Sequence, residues 1–226
     1  MADAVAVFSG GLDSATLLYH LRAEGHSLRA LSVDYGQRHA ARELACAGAL
    51  AAGCGIEWRA LDLTALADFF GPNSLTDSTL DVPSGHYSAE TMARTAVPNR
   101  NMVLLSVALS WAIGTGSTAV AFGAHGGAYT PYPDCRPAFA EAMGAAARAC
   151  HVSPVEVWAP FVRWSKGQIV KRGAELGVPF ARTWSCYRGG ERHCGECGTC
   201  RDRRAAFAEA GVSDPTEYAR EGYRAE

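Results

Sequence analysis

Residues 4–8 form a short apolar run, Ala-Val-Ala-Val-Phe, that stops at Ser9-Gly10-Gly11. A continuous run of this length, closed by a turn signal, predicts a strand buried on both faces. Residues 14–23 carry Leu17, Leu18 and Leu21 on one face and predict a helix. The rhythm continues with a strand over 28–33, an Ala-rich helix over 38–52 and a strand over 56–63. This alternation predicts an α/β fold with a doubly wound, mostly parallel sheet and helices on both faces. Residues 71–88 break it with two Pro, two Gly and several Ser and Thr, the composition of a lid or binding loop. A helix over 99–114, a strand over 118–122, a second loop over 123–137 and a helix over 138–150 follow. A strand over 155–158 and a helix over 166–176 complete the pattern. From Thr183 the composition turns to Cys, Gly and Arg. The expected organisation is a nucleotide-binding α/β domain over 1–182, with a C-terminal metal-binding module over 183–226 packed on it.

Composition narrows the classes. The chain has 226 residues, 48% of them hydrophobic, enough for a sizeable core. A formal net charge of −2 supplies no broad basic field for nucleic acid. No apolar run approaches the roughly 20 residues of a membrane span. The first residues have neither a basic flank nor a small-residue cleavage pattern, so no secretory signal is expected and a cytoplasmic location is.

The strand-to-helix turn carries the first candidate chemistry. Ser9-Gly10-Gly11-Leu12-Asp13-Ser14 lies where the first strand ends and the first helix begins. Ligands of open α/β sheets bind beyond the carboxyl ends of strands. A helix N-terminus there offers free N–H groups and a positive dipole end to phosphate. Gly10 and Gly11 allow a sharp turn and close approach; Ser9 and Ser14 add hydroxyl donors. The Gly-Lys-Ser/Thr ending of a Walker A loop is absent. Asp13 in its place points to magnesium or to bracing of the main chain.

Eight cysteines divide into two sets. Cys186, Cys194, Cys197 and Cys200 cluster, with Gly195 and Gly198 easing the turns between them. Four closely spaced thiolates suit a closed tetrahedral zinc site. An iron–sulfur cluster uses similar ligands, and His193 could replace one cysteine, although a place just outside the ligand set or at the surface suits it better. Cys46, Cys54 and Cys150 lie on or at the ends of Ala-rich helices and are expected to be buried as small apolar residues. Cys135 is expected to pack or touch substrate.

Several further strings complete the picture. They are Asp34-Tyr35-Gly36-Gln37-Arg38-His39, Gly85-His86-Tyr87, Val97-Pro98-Asn99-Arg100-Asn101, Tyr132-Pro133-Asp134-Cys135-Arg136, Thr183-Trp184-Ser185-Cys186-Tyr187 and Asp214-Pro215-Thr216-Glu217-Tyr218. With the turn and the cysteines, they resemble the 7-cyano-7-deazaguanine synthase (QueC) family of the PP-loop ATP pyrophosphatase superfamily, from about Val5 to Tyr218. The resemblance implies ATP-dependent conversion of 7-carboxy-7-deazaguanine and ammonia to the nitrile, through an adenylated acid and an amide, for queuosine in tRNA. It also implies one structural zinc per subunit, ATP with magnesium, and a homodimer that does not bind nucleic acid directly. The ATP-binding stretch would be Phe8, Ser9, Gly10, Gly11, Leu12, Asp13, Ser14, Ala15, Thr16, Leu17 and Leu18. Catalytic candidates are Ser9, Asp13, Ser14, Arg100 and Lys166. Arg100 and Arg136 suit carboxylate or phosphate through paired N–H donors. Asn101 and Asp134 could read the polar edge of a guanine-like ring, beside Tyr35 and Gln37, and Tyr132 or Trp184 could stack on it. His39, one turn into a helix, could guide ammonia or cap. Gly126-Gly127-Ala128-Tyr129 has no carboxylate where the family often has an Asp, and Gln168 stands where an acid often follows the lysine. A paralogue that stops at the amide, or that joins the acid to another amine, is therefore the alternative reading. A non-catalytic zinc-bearing module is a third.

Overall fold

The computed structural model describes residues 2–126 and 132–219. Five strands form one parallel sheet in the order β3-β2-β1-β4-β5: β1 Asp3–Val7, β2 Ser27–Asp34, β3 Glu57–Asp62, β4 Ala119–Ala121 and β5 Glu156–Trp158. The helices are α1 Leu12–Ala23, α2 Ala40–Cys54, α3 Ala89–Thr95, α4 Arg100–Thr115, α5 Pro137–Ala149, α6 Lys166–Glu175 and α7 Gly198–Ala210. Short 3-10 turns occupy Thr64–Phe70, Pro133–Cys135 and Phe180–Arg182.

Alternation along β1 divides two cores. Ala6 faces Leu17, Leu18, Phe161, Ile169 and Phe207. Val5 faces Leu105, Leu109, Val120 and Met143 on the other side. Ala6 pairs in register with Ala30 of β2 and Ala121 of β4. Three methyl side chains in a row leave room for α1 to settle close to the sheet, which explains why it is buried around most of its circumference. The chain runs outward through β2 and β3, then returns to β4 on the far side of β1. The strand order reverses there, and a crevice opens at the carboxyl edge.

The predicted strands and the longer helices appear with ends shifted by one or two residues, as expected where caps fray. Two helices have no counterpart in the sequence expectation. The first, α3, begins beyond the 71–88 loop with a reciprocal cap between Ser88 and Thr91. The second, α7, is rich in charge, with Arg201, Asp202, Arg203 and Arg204 in its first turns. The side-chain period is hidden because Arg203, fully buried, takes a core position. Cys150 is exposed rather than buried, because it caps the end of α5 facing outward; Cys46 and Cys54 are half-buried. His39 precedes α2 rather than lying within it, and its side chain does not cap.

Candidate active site

Gly10 makes the turn out of β1 possible. Its φ is +76°, and a Cβ there would stand 2.6 Å from both the Ala47 amide nitrogen and the Glu43 carbonyl oxygen of α2. The Gly10 carbonyl accepts from the Trp184 backbone N–H at 3.0 Å, which ties the turn to the C-terminal segment. Inside the turn, Ser9 Oγ lies 3.1 Å from Ser14 Oγ, and the Gly11 N–H donates to Ser9 Oγ at 3.2 Å. Gly11 begins α1 with no side-chain cap. The helix therefore presents first-turn N–H groups and its positive end to the crevice.

Lys166 approaches from the start of α6, where Ser165 and Gln168 cap each other's backbone. Its Nζ lies 3.3 Å from Asp13 Oδ2, and His125 Nε2 lies 3.7 Å from the same oxygen. Burial pushes the Asp13 carboxyl up, but Lys166 and then His125 outweigh it, so the acid sits below its ordinary value. Burial opposes the Lys166 charge, and Asp13 more than restores it. Burial holds the His125 imidazole below its ordinary value, against the pull of Asp13. Asp13 Oδ1 is buried and has no partner among the described residues, so one oxygen remains for a ligand or cation.

One cavity of about 430 Å³ joins this cradle to a second group of residues beyond β2. Phe8, Ser9, Gly11, Leu12, Asp13, Ser14, Tyr35, Gln37, Arg100, Asn101, Tyr132, Lys166 and Trp184 all line it. Arg100 begins α4, with Nη1 3.5 Å from the Tyr35 hydroxyl. Burial disfavours its charge, but Tyr35 and Tyr187 hold it firmly protonated. Burial in turn raises the Tyr35 and Tyr187 phenols.

Other candidates are placed elsewhere. Ala15, Thr16, Leu17 and Leu18 are fully buried in the core beneath the cradle, and neither they nor Gly10 are among the residues lining the cavity. Asp134 accepts from the Asn101 backbone N–H at 3.2 Å, and its carbonyl accepts from Asn101 Nδ2 at 3.0 Å. The pair braces the start of α4, and neither Asp134 nor Arg136 lines the cavity. Gln37 is likewise committed to the protein, as described below. Trp184 donates Nε1–H to the Cys186 carbonyl at 2.8 Å and stacks against His193. Positions 127–129, where a family carboxylate is missing, lie outside the described residues. Sequence reasoning missed Glu43, Tyr87, His125, Tyr187, Thr199 and Asp202, which also line the cavity. Tyr87 and Tyr187 lay inside quoted strings, so a signal existed; Thr199 and Asp202 were masked by the neighbouring cysteines.

The four clustered cysteines meet. Their sulfurs all lie within 4.8 Å of one another, and Cys194 Sγ is 3.9 Å from Cys200 Sγ. A tetrahedral ion with bonds of about 2.3 Å spaces its sulfurs by about 3.8 Å, so the set fits a single ion such as zinc. N–H groups of Cys194, Glu196 and Cys197 point at the sulfurs and stabilise thiolate charge. His193 is not in the set; its Nε2 accepts from the Ser185 N–H at 3.0 Å. Arg203 knits the segment together from within. This side chain donates to Thr183 Oγ1 at 2.9 Å, Ser185 Oγ at 3.1 Å, the Phe180 carbonyl at 2.8 Å and Thr216 Oγ1 at 2.6 Å.

A parallel sheet with a glycine-turned phosphate cradle at the end of its first strand defines the PP-loop class of ATP-using α/β enzymes. The fold is shared with the NMN synthetase of Francisella tularensis, with a TM-score of 0.50 at 13% identity over 94% of this chain and 78% of that one. A family model described as queuosine biosynthesis protein QueC matches residues 3–211, and the chain belongs to that family. It is 48% identical over 221 residues to the 7-cyano-7-deazaguanine synthase of Marinobacter nauticus, covering 97% of this chain and 99% of that protein. The protein of the same name from Methanoregula boonei is 48% identical over 215 residues, covering 95% and 98%.

Proposed function

We propose that the protein converts 7-carboxy-7-deazaguanine to 7-cyano-7-deazaguanine, using ATP and ammonia. The observation that carries this reading is one cavity that a phosphate cradle, Ser9, Ser14 and Lys166, shares with a half-buried cationic Arg100 beside Tyr35 and Tyr187. An aromatic acid bound between them would present its carboxylate to the α-phosphate. The carboxylate oxygen attacks that phosphorus and pyrophosphate leaves. Ammonia then displaces AMP to give the amide. In a second round the amide oxygen attacks ATP, and loss of AMP and a proton yields the nitrile. Lys166 would balance the charge that builds on the phosphate oxygens, and Ser9, Ser14 and the first-turn amides of α1 would hold pyrophosphate. The free Asp13 oxygen suits the magnesium of Mg-ATP.

Zinc at the four cysteines supports folding in the same reading, because a closed four-thiolate shell leaves no open position. In this reading the expected C-terminal module over 183–226, described as far as residue 219, would be a zinc module serving the nucleotide-binding domain. Reduced thiols suit a cytoplasmic setting. The family resemblance supports a homodimer, which light scattering checks. The decisive experiment incubates the protein with ATP, magnesium, ammonia and 7-carboxy-7-deazaguanine and weighs the products. Nitrile with two AMP per product supports the proposal. Amide as the sole product overturns nitrile formation, and absence of AMP overturns adenylation.

A further inference from the structure

Beside the cradle, the cavity holds a carboxylate that phosphate chemistry does not use. Glu43, in the first turn of α2, lines the cavity with 17% of its side chain still exposed. Gln37 holds it in place. The Gln37 Oε1 accepts from the Tyr35 N–H at 2.9 Å, and its Nε2 donates both to the Val33 carbonyl and to Glu43 Oε2, each at 3.2 Å. Both donors of that amide are committed to the protein. His39 Nε2 stands 3.7 Å from Glu43 Oε1, beyond hydrogen-bond range. A carboxylate has about four acceptor directions, so Glu43 faces the cavity with acceptor capacity to spare. Burial pushes its carboxyl up to about 7 despite Gln37 and Arg100. A group this costly to bury calls for donors that a ligand supplies.

Ring geometry selects the ligand. Two carboxylate oxygens match two parallel N–H donors, the ring N–H and exocyclic amine of a 2-aminopyrimidin-4-one. Adenine sets an acceptor nitrogen beside its amine and would face Glu43 with lone pair against lone pair. The first turn of α2 also abuts the cradle, since the Glu43 carbonyl crowds Gly10. A ring held by Glu43 can therefore reach the cradle with its opposite edge. We propose that Glu43, braced by Gln37, is the specificity-determining residue that reads the N1–H and 2-amino edge of the deazaguanine ring. This inference rests on the substrate proposed above.

The test compares wild type and Glu43→Gln on 7-carboxy-7-deazaguanine and on its analogue lacking the 2-amino group. We expect wild type to prefer 7-carboxy-7-deazaguanine, which bears the 2-amino group, by tenfold or more in kcat/KM. The preference should collapse in Glu43→Gln through a raised KM for the acid, with KM for ATP within twofold of wild type. Equal use of both acids by wild type overturns the inference even if the variant fails to fold. A variant that keeps the preference, or changes KM for ATP instead, also overturns it. A wild type that adenylates neither acid overturns the substrate reading itself, an outcome distinct from the others.

Discussion

Lys166 and Asp13 form the ion pair at the chemical end of the cavity, and each holds the other's charge in a largely buried setting. Lys166→Met should lower kcat about 100- to 1,000-fold, the usual loss when a preorganised charge-stabilising donor is removed, as read by AMP release. It should also destabilise the fold by stranding Asp13. The double variant Asp13→Asn/Lys166→Met should regain much of that stability without regaining activity; additive melting losses in the double variant would contradict the pairing. Glu43 and His39 titrate in opposite senses. Burial raises Glu43 from 4.5 to about 7, so the folded state binds the extra proton and stability falls as pH rises through that interval. Burial, followed by Arg100, lowers His39 from 6.5 to about 3, so stability is lost as pH falls through that interval. Glu43→Gln removes only the first effect. Its stability relative to wild type should improve between pH 5 and pH 8, by no more than about 3 kcal/mol. Urea unfolding at the two pH values measures this; a difference independent of pH would refute the buried carboxyl.

Among the elements, the β1–α1 turn is the most demanding. Ala at position 10 would combine a positive φ with a Cβ driven into the backbone of α2. Gly10→Ala should cost roughly 2–4 kcal/mol and weaken ATP binding, checked by thermal unfolding and nucleotide titration. A variant with wild-type stability would show that α2 can yield. This turn was legible in the sequence because its glycines, hydroxyls and acid are contiguous and sit between a buried strand and a helix. The same holds for α6, whose cap residues Ser165 and Gln168 are local. Helix α7 was not legible. Its buried Arg203 breaks the apolar period, and long-range acceptors at Phe180, Thr183, Ser185 and Thr216, with the Asp214 carboxylate at 3.7 Å, make that burial tolerable.

On the scale of the molecule, the cysteine segment forms one wall of the cavity. Cys197 precedes α7 and Cys200 lies in its first turn, while Thr199 and Asp202 from the same turn line the cavity. Trp184 joins that wall to Gly10. Stripping zinc with a chelator, or Cys200→Ser, should lower the melting temperature by roughly 10 °C or more. ATP affinity should fall with it and the Trp184 environment should change. Elemental analysis, calorimetry and tryptophan fluorescence report these three effects; an unchanged melting point after complete metal loss would sink the structural zinc.

The linear chain determined everything that depends on neighbours in sequence. Apolar runs and their period set the strands and most helices, the Ser9–Ser14 string set the glycine turn between β1 and α1, and the cysteine spacing set a four-sulfur cluster that fits a metal. Folding decided which distant groups share a space. It brought Lys166 and His125 to Asp13 and set Gln37 to brace Glu43 at the cavity. It assigned Asp134 to brace α4 rather than line the cavity. The physical reason is that charge, burial and hydrogen-bond commitment depend on distance in space. Parallel strands gather their carboxyl ends from every part of the chain, and only that convergence separates side chains left open to a ligand from those already committed to the protein.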